Sequence, residues 1–207
     1  VIDYVLNALL GYILGSLPWG LIVGYLATGR DIRESGSGKT GTTNVLRTAG
    51  KVPAVIVMVL DIAKGAVPAL VGRYVFDSNE VAAVGAGAAI VGHVWPVFAG
   101  FRGGRGVAST YGGILGLAPG ISLLFPLIGA VLVGATRYVS FMSVVGVPIC
   151  AAIICGLAIA GKTDPAFAWY ALFATALVEY KHIPNIRRLL NGTEPRIGQG
   201  GDRPATG

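Results

Sequence analysis

Phosphate-binding chemistry is densest in residues 33–51, RESGSGKTGTTNVLRTAGK, a polar island between two long apolar runs. Small residues (Gly36, Gly38, Gly41, Gly50), hydroxyls (Ser35, Ser37, Thr40, Thr42, Thr43, Thr48) and cations (Arg33, Lys39, Arg47, Lys51) fall together there. Backbone N–H groups freed by glycine, hydroxyl donors and fixed positive charge are what a phosphate oxyanion requires. Arg47 follows Asn44 by three residues, so on a helical turn the two side chains share a face. The run Gly36-Ser37-Gly38-Lys39-Thr40 imitates the end of a nucleotide-binding P-loop, but the context fails. The pattern G-x-x-x-x-G-K-[ST] needs a glycine where Arg33 stands and a strand where an apolar helix is expected.

Two further islands carry polar groups that could act. Residues 92–109, GHVWPVFAGFRGGRGVAS, combine His93, Arg102 and Arg105 with glycines and with the interface-seeking aromatics Trp95, Phe98 and Phe101. Residues 179–191 bring Lys181, His182, Asn185, Arg187 and Arg188, and Ile186, Leu189 and Leu190 give this stretch the pattern of a short interfacial helix. His182, among polar neighbours, reads either as a general base kept neutral by nearby cations or as an orienting hydrogen-bond donor, with a substrate phosphate taking the proton. His93, at an aromatic turn, reads as structural support. Neither histidine opens an H-x-x-x-x-D pair, because Phe98 and Arg187 occupy the fifth positions. Asp61 and Lys64 sit three apart inside an apolar run, where unpaired charge is costly, and read as a structural pair that neutralises itself.

The elements that must hold these islands are membrane helices. The chain is 54% hydrophobic and only 13% charged, with mean hydropathy +0.70, about half the charged fraction of a soluble domain. Apolar runs near the length of a bilayer crossing occupy 4–27, 52–71, 81–98 and 138–160, and the run 166–178 is completed by its ends. No basic residue precedes the first run, so it reads as a span and not as a signal peptide, with Pro18 and Gly20 marking a kink or a helix end near its close. Residues 107–136 are broken by Pro119-Gly120 and read as a short helix, a turn and a second helix. This gives an all-α integral membrane protein of seven spans, N-terminus outside and C-terminus cytoplasmic. Of 16 basic residues, only Arg73 and Lys162 then lie outside, and Lys64 lies within a helix. All three polar islands meet on the cytoplasmic face. Residues 1–191 form a single transmembrane domain; 192–207, rich in Gly, Pro and charge, read as a disordered cytoplasmic tail. Cys150 and Cys155, five apart, lie on different faces of a helix and read as packing residues, not as a disulfide or metal site. The net charge of +6, confined to loops, points to membrane orientation and anionic substrates instead of nucleic acid.

Taken in order, the islands resemble the motifs of the PlsY family, the bacterial acyl-phosphate-dependent glycerol-3-phosphate acyltransferases. They are SGSGKTGTTNVLRTAGK, then G-H-x-W-P-V-F with F-R-G-G-R-G-V-A, then K-H-x-x-N-I-x-R-L-L-x-G-x-E. Arg102 and Arg105 stand where the family commonly has lysine, and Lys39 where it has asparagine. The resemblance implies a multi-pass enzyme of the bacterial cytoplasmic membrane with its active site facing the cytoplasm. It would move a fatty acyl group from acyl phosphate to the 1-hydroxyl of glycerol 3-phosphate, giving lysophosphatidic acid and inorganic phosphate, the entry step of phospholipid synthesis. Membrane lipids surround it, and no metal, cofactor, nucleic acid or obligatory protein partner enters this reading. His182, Asn185 and Arg47 are the expected catalytic residues. Phosphate and substrate binding fall to Ser35, Gly36, Ser37, Gly38, Thr43, Asn44, Arg47, Arg102, Arg105, Ser140, Ser143, Lys181 and Arg188. Ser140 and Ser143 enter through the resemblance; taken alone, they are also suited to bonding helix carbonyls. A transporter of phosphorylated solutes is the competing class, disfavoured because no repeated half is visible and the islands gather at one face. A lipid-binding scaffold would leave the first island without a role.

Overall fold

The computed structural model describes residues 1–197, which are helical with connecting turns and contain no strand. The first apolar run is two helices, α1 (Ile2–Gly15) and α2 (Trp19–Thr28). Of the kink or helix end expected near Pro18, the helix end is what forms, because proline cannot donate to the turn before it. The first island then folds into a short helix, α3 (Thr42–Thr48). Next come α4 (Lys51–Tyr74), α5 (Asn79–Val94) and α6 (Val107–Leu117). The Pro119-Gly120 break begins α7 (Pro119–Ser122), which leads into α8 (Leu124–Thr136). A single turn, α9 (Val139–Phe141), passes through a π-helical turn, Met142–Gly146, into α10 (Val147–Ile159). The chain closes with α11 (Pro165–Leu190). Among the described residues, five rods are long and apolar enough to cross a membrane: Ile2–Thr28, Lys51–Tyr74, Asn79–Ala99, Pro119–Thr136 and Val139–Ile159. Their outward residues, such as Val5, Leu9, Val55, Val59, Leu127 and Val131, are large, apolar and exposed. In water such faces would be a defect; in a bilayer they meet acyl chains.

Small residues set the packing. A β-carbon at Gly11 or Gly15 of α1 would collide with the carbonyls of Gly85 and Ala89 on α5, so these helices touch backbone to backbone. On the other side of the bundle, Gly65 of α4 lies on the carbonyl of Ser109, Gly112 of α6 on that of Ile62, and Gly116 beside Ala69. These contacts place α6 alongside only the second half of α4. The first half, around Met58 and Asp61, faces a cavity, because residues 100–106 remain a polar loop there and do not continue α6 downward. Arg73, at the end of α4, donates to the carbonyls of Gly116 and Leu117 and so closes the C-terminus of α6.

Helix α11 departs from expectation. The separate interfacial helix predicted near 186–190 is continuous with the apolar stretch 166–178 in one 26-residue helix. Pro184 removes one backbone donor without ending it, and the helix stops only at Asn191-Gly192, where Gly192 takes φ +69°. The tail expected from 192 does not begin as a free segment. Glu194 is buried, and the Ile197 N–H donates to the Arg137 carbonyl at 2.9 Å. The remainder of that expectation, 198–207, lies outside the described residues.

Candidate active site

The first island is shaped by Asn44. From the first turn of α3 its Oδ1 accepts the Ser37 N–H at 2.8 Å, and its Nδ2 donates to the carbonyls of Ile32 and Ser35 at 2.8 and 3.3 Å. Gly36, at φ +60°, leaves no room for a β-carbon beside that same amide oxygen, and Gly38 turns the chain again at φ +66°. The loop sits on α2 because Gly20 offers no side chain beneath the Thr40 carbonyl. Arg33 pairs with Asp31 at 2.7 Å and reaches the Ala99 carbonyl at 3.2 Å, tying the first island to the second.

This scaffold encloses one wall of a cavity of about 420 Å³. Ser37, Lys39, Thr43, Asn44 and Arg47 line it from the first island, Arg105 from the second, and His182, Asn185 and Arg188 from the third. Ser140 and Ser143 join from the turns around the π-helical segment, a local widening common where a helix presents groups to a site. The apolar remainder includes Met58, Ile62, Tyr111, Phe125, Pro126, Val139 and Met142. Thus one side is cationic and hydrogen-bonding and the other is greasy. Ser35, Gly36 and Gly38, expected at the site, do not line the cavity; Gly36 and Gly38 turn the loop that carries Ser37, and Ser35 gives Asn44 its backbone carbonyl. Arg102 is exposed outside the cavity, and Lys181 lies over the Trp95 ring, 5.3 Å from its centre.

His182 has a defined tautomer. Its Nδ1 lies 2.8 Å from the Val178 carbonyl, which can only accept, so Nδ1 carries the proton and neutral Nε2 is left as an acceptor. His182 lies in the polar turns of α11, beyond the apolar stretch. Burial, opposed by the Val178 bond and assisted by the Arg105 charge, depresses its pKa to about 4. The direction matches the sequence reading, though burial and not the cations dominates. Asn185 donates to Glu194 Oε1 at 2.8 Å, and its own Oδ1 is buried without a protein partner.

Arg105 is half-buried, beside the charges of Arg188 and Arg47, with Glu194 as the opposing carboxylate, and its buried Nε has no hydrogen-bond partner. Three guanidiniums against one carboxylate leave room for a multiply charged anion. Glu194 is what sequence reasoning missed: it takes Arg188 Nε at 2.7 Å as well as Asn185. Burial works to raise its pKa, but Ser140, Asn185 and Arg188 hold it below the usual value, as a carboxylate. The clue was present, since Glu194 closes the third motif. Ser143 donates to the Val139 carbonyl at 3.3 Å, the backbone bonding open to it from the start, while still lining the cavity.

Asp61 and His93 also line the cavity. The Asp61–Lys64 pair forms as expected, 2.9 Å apart and buried, and His93 Nδ1 approaches the same carboxylate oxygen at 3.5 Å. A histidine–aspartate pair therefore exists, assembled from α4 and α5, where no local H-x-x-x-x-D spacing could reveal it.

Known proteins match the chain over nearly its whole length. The model of the glycerol-3-phosphate acyltransferase family matches residues 5–192. The chain is 42% identical over 196 residues to the glycerol-3-phosphate acyltransferase of Synechococcus sp. (strain CC9902), covering 93% of this chain and 94% of the relative. It is 44% identical over 193 residues to that of Brucella canis, covering 92% of each. The crystal structure of PlsY, an integral membrane glycerol 3-phosphate acyltransferase, in its glycerol 3-phosphate form superposes with TM-score 0.86 at 36% identity, over 94% of this chain and 96% of that one. The lysophosphatidic acid form of PlsY gives 0.83 at 34% identity, over 96% and 97%. An all-helical membrane bundle with motif-bearing loops around one half-cationic, half-apolar cavity, matched over its length by these proteins, belongs to the PlsY family of glycerol-3-phosphate acyltransferases.

Proposed function

We propose that the chain transfers a fatty acyl group from acyl phosphate to the 1-hydroxyl of glycerol 3-phosphate, releasing lysophosphatidic acid and inorganic phosphate. The observation that carries this reading is the cluster of Arg47, Arg105 and Arg188 in a cavity whose remaining wall is apolar. Both substrates bear phosphate, and the donor bears a hydrocarbon chain. Arg47, Arg105 and Lys39 neutralise the phosphates, with Ser37, Thr43, Ser140 and Ser143 as hydroxyl donors. The chain of the donor lies along Met58, Ile62, Tyr111 and Phe125. The glycerol 1-oxygen attacks the acyl carbon, the bond from that carbon to the phosphate oxygen breaks, and phosphate leaves. His182 Nε2 takes the hydroxyl proton, while Asn185 fixes Glu194 and thereby Arg188. Phosphate is already a good leaving group, so alignment and charge neutralisation supply most of the catalysis.

The reading includes seven crossings, with α6 and α11 added to the five long rods, and a cavity that opens to the cytoplasm of a bacterial cell. Residues 1–191 act as one acyltransferase domain, to which Glu194 is attached. Protein purified in detergent and given acyl phosphate and glycerol 3-phosphate is expected to form lysophospholipid and phosphate in equal amounts. Acyl-CoA should not replace acyl phosphate, because the cationic cluster suits a compact phosphate. Turnover that requires a sealed membrane, or comparable turnover with acyl-CoA, would reject this reading.

A further inference from the structure

Asp61, Lys64 and His93 are buried among helices, and nothing in the acyl-transfer scheme uses them. Buried ion pairs are weak contributors to stability, and ionisable groups at membrane depth commonly serve a site. The geometry here is specific. Lys64 Nζ lies 2.9 Å from Asp61 Oδ1 and donates at 3.1 Å to the Leu17 carbonyl, in the break between α1 and α2. Lys64 thus cancels the carboxylate, so Asp61 does not repel an anionic substrate from the cavity that it lines. The same oxygen faces His93 Nδ1 at 3.5 Å without a hydrogen bond, and its negative charge favours the proton on that near nitrogen, with Nε2 as the acceptor. Nε2 lies on the Cα side of Gly104, where any β-carbon would strike it, and the Gly104 N–H donates to the His93 carbonyl at 3.1 Å. The next residue is Arg105, whose charge acts on His182. Arg105 therefore links two imidazoles, its backbone beside one and its guanidinium near the other. Both line one cavity.

We propose that His93, oriented by Asp61, accepts the 2-hydroxyl of glycerol 3-phosphate and so presents the 1-hydroxyl to His182. This rests on the assignment of glycerol 3-phosphate as acceptor. Two imidazoles that line one cavity with a cationic arginine offer acceptors for two hydroxyls on a phosphorylated three-carbon unit. His93 is then a binding residue, and Asp61 a positioning residue that acts through it.

The test is acyl transfer in detergent with three acceptors: glycerol 3-phosphate, 3-hydroxypropyl phosphate, which lacks the 2-hydroxyl, and dihydroxyacetone phosphate, whose carbonyl there cannot donate. In the wild type, kcat/KM should fall roughly tenfold to hundredfold for both analogues, because a buried acceptor loses its donor. In His93→Ala, activity toward glycerol 3-phosphate should fall while the ratio of glycerol 3-phosphate to 3-hydroxypropyl phosphate collapses to within about threefold. Asp61→Asn should give a ratio between the two. A purely structural role would lower all acceptors alike and keep the ratio. Should His93→Ala not fold, His93→Asn carries the same comparison, and the wild-type arm needs no variant. Equal use of the three acceptors by the wild type, or an unchanged ratio in the His93 variants, overturns the proposal. Absence of any lysophospholipid from glycerol 3-phosphate in the wild type would instead overturn the acyltransferase reading, and the subsite with it.

Discussion

At the residue scale the decisive group is Arg47. It stands in the last turn of α3 and lines the cavity, as the spacing from Asn44 suggested, but the two residues divide their labour. Asn44 spends its amide on the loop, while Arg47 faces the space where phosphate is proposed to bind. A guanidinium grips phosphate with two parallel hydrogen bonds that an ammonium cannot reproduce. With bonds to charged groups near 1.5–3 kcal/mol, Arg47→Lys should lower kcat/KM by about ten- to hundredfold and Arg47→Ala by more. Steady-state kinetics against each substrate, with folding checked by thermal melt, measure this. If Lys keeps activity within twofold, Arg47 merely marks one side of the membrane. His182 offers a prediction in pH. Its folded pKa of about 4 lies below the ordinary 6.5, so the unfolded chain binds the proton more readily. Its contribution to stability is therefore complete above pH 6.5 and is lost as pH falls toward 4, at up to about 1.4 kcal/mol per pH unit. Melts in detergent from pH 7 down to pH 4.5 should show this decline, and His182→Asn should flatten it. Glu194, with a depressed carboxylate pKa, acts in a lower window, below its ordinary 4.5. An equal slope in wild type and variant would mean that His182 is not the group responsible.

At the element scale, the segment after α11 is a strap. Gly192 reverses the chain, and Glu194 returns to bind Asn185 and Arg188 of the helix it has just left. Removing that carboxylate leaves Arg188 with a lost partner and lets the Asn185 amide turn. Glu194→Ala should therefore lower the melting temperature and reduce activity at least tenfold, the scale of a lost bond to a charged group; Glu194→Gln should recover part of the stability by keeping the bond to Asn185 in altered form. A Glu194→Ala protein with parental Tm and kcat would detach the strap from the site. The sequence made the helices legible because hydropathy and the Pro18 and Pro119 breaks are local properties. It pointed to Arg47, Arg105 and Arg188, which line the cavity, because cations among glycines in an apolar chain have few other uses, and to His182 because a histidine among polar neighbours stands out beside an apolar run. What it hid depends on chain return. Glu194 looked like tail because composition cannot show that one carboxylate folds back. Asp61 and His93 lie 32 positions apart and meet only because Gly11, Gly65 and Gly72 let helices close on one another. Gly36 looked like a phosphate nest, yet its positive φ serves Asn44.

At the scale of the whole molecule, the two ends of the bundle differ in charge. One end is marked by the Arg73 cap on α6 and by Asn79 bonding Asp164 at 2.8 Å, which joins the start of α5 to the start of α11. Lys162 lies beside that contact, and it and Arg73 are the basic residues there. At the opposite end, the start of α4, the first island, the loop before α6 and the end of α11 converge on the cavity. Basic residues collect on the cytoplasmic side because translocating them is disfavoured, so the cavity end should face the cytoplasm. Under the proposed seven crossings, α6, with 11 residues, would cross with the loop 100–106 completing its depth. An odd number of crossings then leaves the N-terminus opposite the cavity. The check uses single cysteines in a Cys150→Ala, Cys155→Ala background, with Lys162→Cys at one end and Arg102→Cys at the other; both positions are exposed. A membrane-impermeant maleimide should label Lys162→Cys in right-side-out vesicles and Arg102→Cys in inverted ones. Reversed labelling would invert the protein and place the phosphate chemistry outside the cell. Labelling of both from one side would show that α6 or one of the long rods does not cross, and would dissolve the separation of a greasy wall in lipid from a cationic wall in water on which the proposed chemistry depends.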